Sequence, residues 1–237
     1  QDLHNWSIKH KNEFWTNVWD FTNFVGEKKG KIFKSAPEFT NNKFFDECKI
    51  NYTENCLTRD DDDDAIIFHS EKKIKRNYSW RELKSAVLKF ANYLKNNNIE
   101  KNDRIAAILP NIPETVISFL STAQLGAIWS SCSSDFGKKA IIDRFKQIEP
   151  KVLLFSDYYF YNNKKVDTTK IIKDVVYNIP SIEKIILIPY EFNATDYQLE
   201  FEYDNLCKIL QQEIDYNKFE KFNFNHPLYI LYSSGTT

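Results

Sequence analysis

From Ala65 onward, short uninterrupted apolar runs alternate with longer segments in which apolar residues recur every three or four positions. Ile105 to Leu109, Val152 to Phe155 and Ile185 to Ile188 carry no polar residue at all, as expected of strands buried on both faces of a sheet. Between them lie stretches with helical spacing. Ser79-Trp80-Arg81-Glu82 forms a capping box and opens a helix with Trp80, Leu83, Val87, Ala91 and Leu94 on one face, which Asn96-Asn97-Asn98 ends. Asn111, Pro113 and Glu114 start a second helix that Gly126 stops, and Ala127 to Ser131 is the next strand. Asp135 to Ile148 reads as a turn and helix ended by Pro150, and Thr168 to Tyr177 as a further helix. Between Tyr190 and His226 the pattern is weakest, with a helix expected near Leu206 to Ile214. The alternation predicts an α/β fold with a mostly parallel sheet flanked by helices.

The first 58 residues are aromatic-rich and predict a helix over Glu13 to Phe24, with Phe14, Trp15, Val18, Trp19 and Phe21 as a packing stripe. We read residues 1–58 as a cap region and 65–237 as the main domain. Between them, Arg59 to Asp64 carries five consecutive Asp residues, a charge density expected in a solvated loop.

Composition narrows the function classes. With 32 basic and 33 acidic residues the net charge is -1, so nothing calls for nucleic acid or an anionic membrane. No apolar run approaches the roughly 20 residues of a membrane span, and no signal-peptide pattern opens the chain. A soluble, cytoplasmic protein acting on small molecules is the expectation. Cys48, Cys56, Cys132 and Cys207 are widely separated and read as reduced structural thiols. The four histidines show no metal-ligand spacing. The chain begins with Gln1, contains no Met and ends inside a turn, so both ends read as cut.

That final turn carries the chemistry. Leu228 to Tyr232 is an apolar strand that runs into Ser233-Ser234-Gly235-Thr236-Thr237. Small hydroxyl residues around a Gly at a strand's carboxyl end present backbone N–H and side-chain O–H groups to an anion, at the edge where open parallel sheets bind ligands. The nucleotide loop G-x-x-x-x-G-K-[ST] does not fit, because this segment has one Gly and no Lys after it.

Several segments in order resemble the adenylate-forming enzymes, the superfamily of acyl-CoA synthetases, luciferases and peptide-synthetase adenylation domains. His226 to Thr237 resembles the start of their AMP-binding motif. Leu3 to Ser7 with Phe14-Trp15, and Lys49-Ile50-Asn51-Tyr52-Thr53-Glu54-Asn55, resemble the cap of the short-chain synthetases. Gly126 to Ser131, Asp135-Phe136-Gly137, Asp143 to Lys151 and Asp157 to Lys164 are similar to the acetoacetyl-CoA synthetase branch rather than to acetyl-CoA synthetase. Asn163 stands where the family more often has Gly, and Ser134 where it more often has Pro.

The resemblance implies the N-terminal part of the large adenylate-forming domain with an aromatic-rich cap. It also implies a two-step ligase using ATP, Mg²⁺ held by the nucleotide, and CoA to convert acetoacetate to acetoacetyl-CoA. Ser233, Ser234, Gly235, Thr236 and Thr237 become the ATP phosphate-binding residues. Trp129 is a candidate to line or support the acid pocket, though its type more often fills a core, and Lys164 and Lys165 to meet CoA phosphate, though paired lysines are usually only solvated. The family's catalytic residues lie in a C-terminal remainder beyond Thr237, so the 237 residues alone are expected to be inactive. Another acid, such as acetate or propionate, and a non-catalytic split half or interaction fragment stay open as alternatives.

Overall fold

The computed structural model describes residues 1–213 and 218–233. It divides into two compact units, residues 1–58 with 218–227, and residues 59–217 with 228–237.

In the smaller unit, the helix expected over Glu13 to Phe24 is α2 (Lys11–Phe21), the second helix of the chain after an additional one, α1 (Asp2–Lys9). The second stops short of Phe24 because the Thr22 hydroxyl turns back onto the Val18 carbonyl and Asn23 takes a positive φ of 50°. Of the aromatic stripe, Trp19 is the buried member and Phe21 is exposed. Trp19 packs on Phe24 and Phe45, with ring centroids 4.7 and 5.0 Å apart, beside Ile32 and Cys48. Four two-residue strands follow, β1 (Gly26–Glu27), β2 (Phe33–Lys34), β3 (Lys43–Phe44) and β4 (Lys49–Ile50). The returning segment Phe222–Asn223 pairs antiparallel with β4 on the side opposite β1.

A five-residue helix, α3 (Tyr52–Cys56), begins within the Lys49–Asn55 motif, whose polar residues hold backbone. Asn51 caps it by accepting from the Glu54 N–H, and its Nδ2 donates to the Glu220 carbonyl at 2.8 Å. Asn55 takes both polar groups of Val25, accepting its N–H at 2.8 Å and donating to its carbonyl at 2.9 Å. These bonds satisfy backbone groups that no ladder reaches.

In the larger unit, the acidic run leads into an antiparallel hairpin, β5 (Asp64–His69) and β6 (Lys75–Ser79). Each Asp of the run from Asp60 to Asp63 has a cation: Arg59 binds Asp61 and Asp63, Arg81 binds Asp62, and Lys84 binds Asp60. The loop is solvated, as its charge density demands, and is neutralised residue by residue. Ser79 then caps α4 (Trp80–Asn96) through a complete capping box with Glu82. Ser79→Ala removes one side of that box and is expected to cost about 1 kcal/mol in chemical unfolding.

Five parallel strands form the sheet in the order β13-β12-β9-β7-β8: β7 (Arg104–Ile108), β8 (Ile128–Cys132), β9 (Val152–Ser156), β12 (Lys184–Ile188) and β13 (Asp204–Asn205). Their side chains alternate between two cores. Ile105, Ala107, Val152, Leu154, Ile186 and Ile188 face a layer with Phe90, Ala91 and Leu94 of α4 and Leu206 of α8 (Leu206–Ile209). Ala106, Ile108, Leu153, Phe155, Ile185 and Leu187 face α6 (Lys138–Ile148) and α7 (Thr169–Asn178) through Ile141, Phe145, Ile172 and Val175. Both faces are covered, which is why Ile105–Ile108 of β7, Val152–Phe155 of β9 and Ile185–Ile188 of β12 carry no polar residue. The helix α5 (Pro113–Gln124) joins β7 to β8, and α6 carries the chain back past β7 to β9. The order therefore reverses beside β7, and ligands of open α/β sheets bind outside the carboxyl ends at such a reversal.

Three departures from the sequence reading concern edges. The β5–β6 hairpin and a second one, β10 (Tyr158–Tyr161) with β11 (Lys164–Asp167), are antiparallel additions to the parallel pattern. The second turns on Asn162 and Asn163, both with positive φ, 48° and 62°. Asn tolerates this conformation, so Asn163 does locally what Gly does more freely. The helix expected near Leu206 to Ile214 ends at Ile209, and Ile214 lies outside the described residues. Among the described residues no helix is long and apolar enough to cross a membrane.

Candidate functional site

The terminal segment joins the parallel sheet at its β8 edge. The Trp129 N–H donates to the Leu228 carbonyl at 3.1 Å, the Ile230 N–H donates to the Trp129 carbonyl at 2.8 Å, and Tyr229 bridges Trp129 in the parallel sense. The buried Ser130 hydroxyl adds a bond to the Ile230 carbonyl at 3.1 Å. Because this pairing is parallel to β8, the chain after Ile230 leaves at the edge where β7, β8, β9 and β12 also end.

Tyr232 fastens that exit to α6. Its hydroxyl donates to the Arg144 carbonyl at 2.8 Å, and the Arg144 guanidinium lies 5.7 Å from its ring centroid and 5.0 Å from that of Phe136. Burial pushes the Tyr232 phenol up, against the pull of Ser130 and Arg144. Ser233 follows at the surface. Ser234, Gly235, Thr236 and Thr237, the rest of the expected phosphate loop, lie outside the described residues.

Trp129 sits in the core, 6% exposed, edge-on to Phe119 with centroids 6.1 Å apart. It contributes its backbone to the terminal segment and its ring to packing. Lys164 and Lys165 stand exposed on β11, where the Lys165 ammonium lies 3.6 Å from the Tyr158 ring centroid. Their hairpin leaves from the carboxyl end of β9, on the same edge as Ser233. Three strand spacings, about 15 Å, separate β9 from the terminal segment. The two groups share an edge of the sheet without forming one cluster.

A buried carboxylate at this edge escaped the sequence reading. Asp157, 4% exposed at the end of β9, accepts from the backbone N–H groups of Tyr158 at 2.9 Å and Tyr190 at 2.8 Å, and from the Tyr197 hydroxyl at 2.6 Å. It thereby ties the loop after β9 to the loop after β12. The available signal was an acid placed directly after an all-apolar strand, in Val152-Leu153-Leu154-Phe155-Ser156-Asp157.

Nearby, burial pushes the Cys132 thiol up to about 11, with Arg144 pulling the other way. The unfolded chain therefore releases this proton near pH 9, before the folded one does, and stability falls as pH climbs from about 9 towards 11. Melting curves across that window are expected to slope down, and Cys132→Ala to flatten the slope.

A groove of about 640 Å³ lies elsewhere, between Ile182–Ile185 and the loop from Asp196 to Asp204. It opens at the beginning of β12 rather than at the carboxyl edge. Among the described residues no three His, Cys, Asp or Glu side chains gather as a metal cradle.

Comparison with known proteins places the chain in a family. A family model described as AMP-binding enzyme matches residues 53–237, a span that includes the whole parallel sheet and the terminal segment. The chain belongs to the AMP-binding enzyme family. It is 35% identical over 248 residues to the acetoacetyl-coenzyme A synthetase of Rhizobium meliloti (strain 1021), covering 99% of this chain and 36% of that protein. To the acetoacetyl-CoA synthetase of Xenopus tropicalis it is 34% identical over 254 residues, covering 100% of this chain and 37% of that protein. The solved structure of the acetoacetyl-CoA synthetase from Streptomyces lividans superposes with a TM-score of 0.90 at 29% identity, over 99% of this chain and 36% of that one. This chain thus has the fold of the N-terminal part of an adenylate-forming enzyme and spans little more than a third of its relatives' length.

Proposed function

We propose that this chain is the nucleotide-binding portion of an ATP-dependent acid–thiol ligase that makes acetoacetyl-CoA from acetoacetate. A carboxylate is a poor electrophile, so it first needs a leaving group. Its oxygen attacks the α-phosphorus of ATP, diphosphate departs, and an acyl-adenylate forms. The thiol of CoA then attacks the acyl carbon, loses its proton and expels AMP, giving the thioester. At phosphorus such a reaction asks the protein for positioning and charge neutralisation.

In this reading Ser233, Ser234, Thr236 and Thr237 offer hydroxyl donors to the triphosphate, and Gly235 lets backbone N–H groups approach it. Mg²⁺ enters with the nucleotide and neutralises phosphate charge when bound. Trp129 supports the acid pocket from within the core, and Lys164 and Lys165 offer cations to the phosphates of CoA. Residues 1–58 serve as a cap, and 65–237 as part of the adenylation domain.

The observation that carries the reading is the parallel register of Tyr229 with Trp129, which directs the chain towards the sheet's carboxyl edge just before the hydroxyl-rich loop. The names of the relatives favour acetoacetate over other acids. The test is acid-dependent exchange of pyrophosphate into ATP by the full-length protein, over a panel of acetoacetate, acetate, propionate and longer acids. Fastest exchange with acetoacetate is expected; fastest exchange with another acid reassigns the substrate, and no exchange with any acid defeats the ligase reading. The 237 residues assayed alone are expected to give no exchange. Neutral hydroxyls worth roughly 1 kcal/mol each supply too little to hold and activate a highly charged triphosphate.

A further inference from the structure

We propose that the tips of the β5–β6 and β10–β11 hairpins form one cationic site for the phosphate groups of CoA, to which Lys72 contributes alongside Lys164 and Lys165. The inference rests on the ligase reading and deepens it, because it brings in a second hairpin whose contact with the first spans 92 residues of sequence.

The two tips are joined. The N–H of Asn163, in the turn between β10 and β11, donates at 2.7 Å to the carboxylate of Glu71, in the turn between β5 and β6. The Lys72 ammonium lies 5.8 Å from the Phe160 ring centroid, and that of Lys165 lies 3.6 Å from the Tyr158 centroid. Those two rings are 5.6 Å apart, and both pack on the buried Tyr190, at 5.5 and 5.3 Å. Asp157 secures this platform by accepting the N–H groups of Tyr158 and Tyr190. Lys72 and Lys165 therefore stand on one aromatic block, and Lys73 and Lys164 adjoin them in the chain. All four are exposed, so a ligand can reach them.

Their charge is uncompensated. Among the described residues none of these four lysines has an ion pair, whereas Lys84, Lys138, Lys151, Lys173, Lys184 and Lys208 of the same unit each have an acid. The acids that touch the block are engaged by its scaffold, Glu71 by the Asn163 N–H and Glu191 by the Tyr158 hydroxyl at 2.6 Å. Like charges gathered on a fixed platform repel one another, and a bound polyanion relieves that repulsion. In the ligase reading ATP goes to the terminal segment, three strand spacings from β9, which leaves CoA as the phosphate-bearing substrate for this patch.

The test is thioester formation by the full-length protein from ATP, acetoacetate and CoA. Lys72→Ala and Lys164→Ala are each expected to raise the KM for CoA about threefold, and the double variant about tenfold. The KM values for ATP and acid, read from pyrophosphate exchange without CoA, stay within about twofold, and the melting temperature within a few degrees, because both side chains are exposed. Raising the ionic strength from about 0.05 to about 0.2 M is expected to raise the KM for CoA in the parent and to raise it less in the double variant. A role confined to packing would not change that salt dependence. A KM for CoA unmoved by Lys72→Ala overturns the two-hairpin site, even where Lys164→Ala moves it, and so does an equal rise in the KM for ATP. Parent protein that shows no acid-dependent exchange defeats the ligase reading and this inference with it; a parent that exchanges and forms thioester, with Lys72→Ala indifferent to CoA, defeats this inference alone.

Discussion

Arg76→Leu is expected to destabilise the larger unit by about 3–5 kcal/mol, the largest loss foreseen for a single side chain outside the sheet's carboxyl edge. Arg76 of β6 makes a two-pronged pair with Glu114 in the first turn of α5, at 2.5 and 3.0 Å, and also donates to the Tyr190 carbonyl at 3.2 Å. The Glu114 side chain is 0% exposed and that of Arg76 15%. Tyr78 donates a further bond to the same carboxylate at 2.9 Å. Burial pushes the Glu114 carboxyl up, while Arg76 and Tyr78 hold it down. Removing Arg76 leaves a buried carboxylate with only neutral donors, the Tyr78 hydroxyl and a backbone N–H, so it must stay charged without a countercharge or take up a proton.

Glu114→Gln added to Arg76→Leu removes the charge that has lost its partner and is expected to restore most of the loss. Urea unfolding of the single and double variants measures this. A loss below about 1 kcal/mol for Arg76→Leu would mean that the pair contributes no more than a surface ion pair.

The second large effect concerns activity. Ile230→Pro removes the N–H that donates to the Trp129 carbonyl, one of the two backbone bonds holding the terminal segment to β8. Residue 230 lies at a sheet edge and outside the two cores built on Phe90 and Phe145, so the unit is expected to stay folded by circular dichroism. The loop, however, loses its register. Misplacing reacting groups by about 1 Å costs on the order of 100-fold in rate, so pyrophosphate exchange by the full-length variant should fall at least that far. Exchange close to the parent rate in folded Ile230→Pro protein would show that the β8 pairing does not position the loop.

The central sheet was legible because its signal is simple. A strand covered on both faces favours apolar side chains, and Ile105–Ile108 of β7, Val152–Phe155 of β9 and Ile185–Ile188 of β12 accordingly carry no polar residue. The capping box at Ser79 was equally plain, since every residue it needs lies within four positions. The aromatic stripe misled about helix length. Phe21 and Phe24 continue the apolar spacing, yet Thr22 and Asn23 between them end the helix through a hydroxyl bond and a positive φ.

At the site, the residues that act over long sequence separations were the illegible ones. Nothing in the local sequence of Tyr232 announces Arg144, and nothing near Asp157 announces Tyr190 or Tyr197. The Asn162-Asn163 hairpin was not anticipated, although two Asn residues side by side tolerate the paired positive φ values that such a turn needs. The acidic run was readable as a loop, but its neutralisation by Arg81 and Lys84 depends on how α4 is placed after the hairpin.

Hydrogen–deuterium exchange on the full-length protein with and without MgATP bears most directly on the central claim. Binding of the nucleotide is expected to slow exchange in the peptide from Leu228 to Thr237 more than in any other part of this chain. Protection confined to the groove between Ile182 and Asp204, or no protection of the terminal peptide at saturating MgATP, would contradict the account.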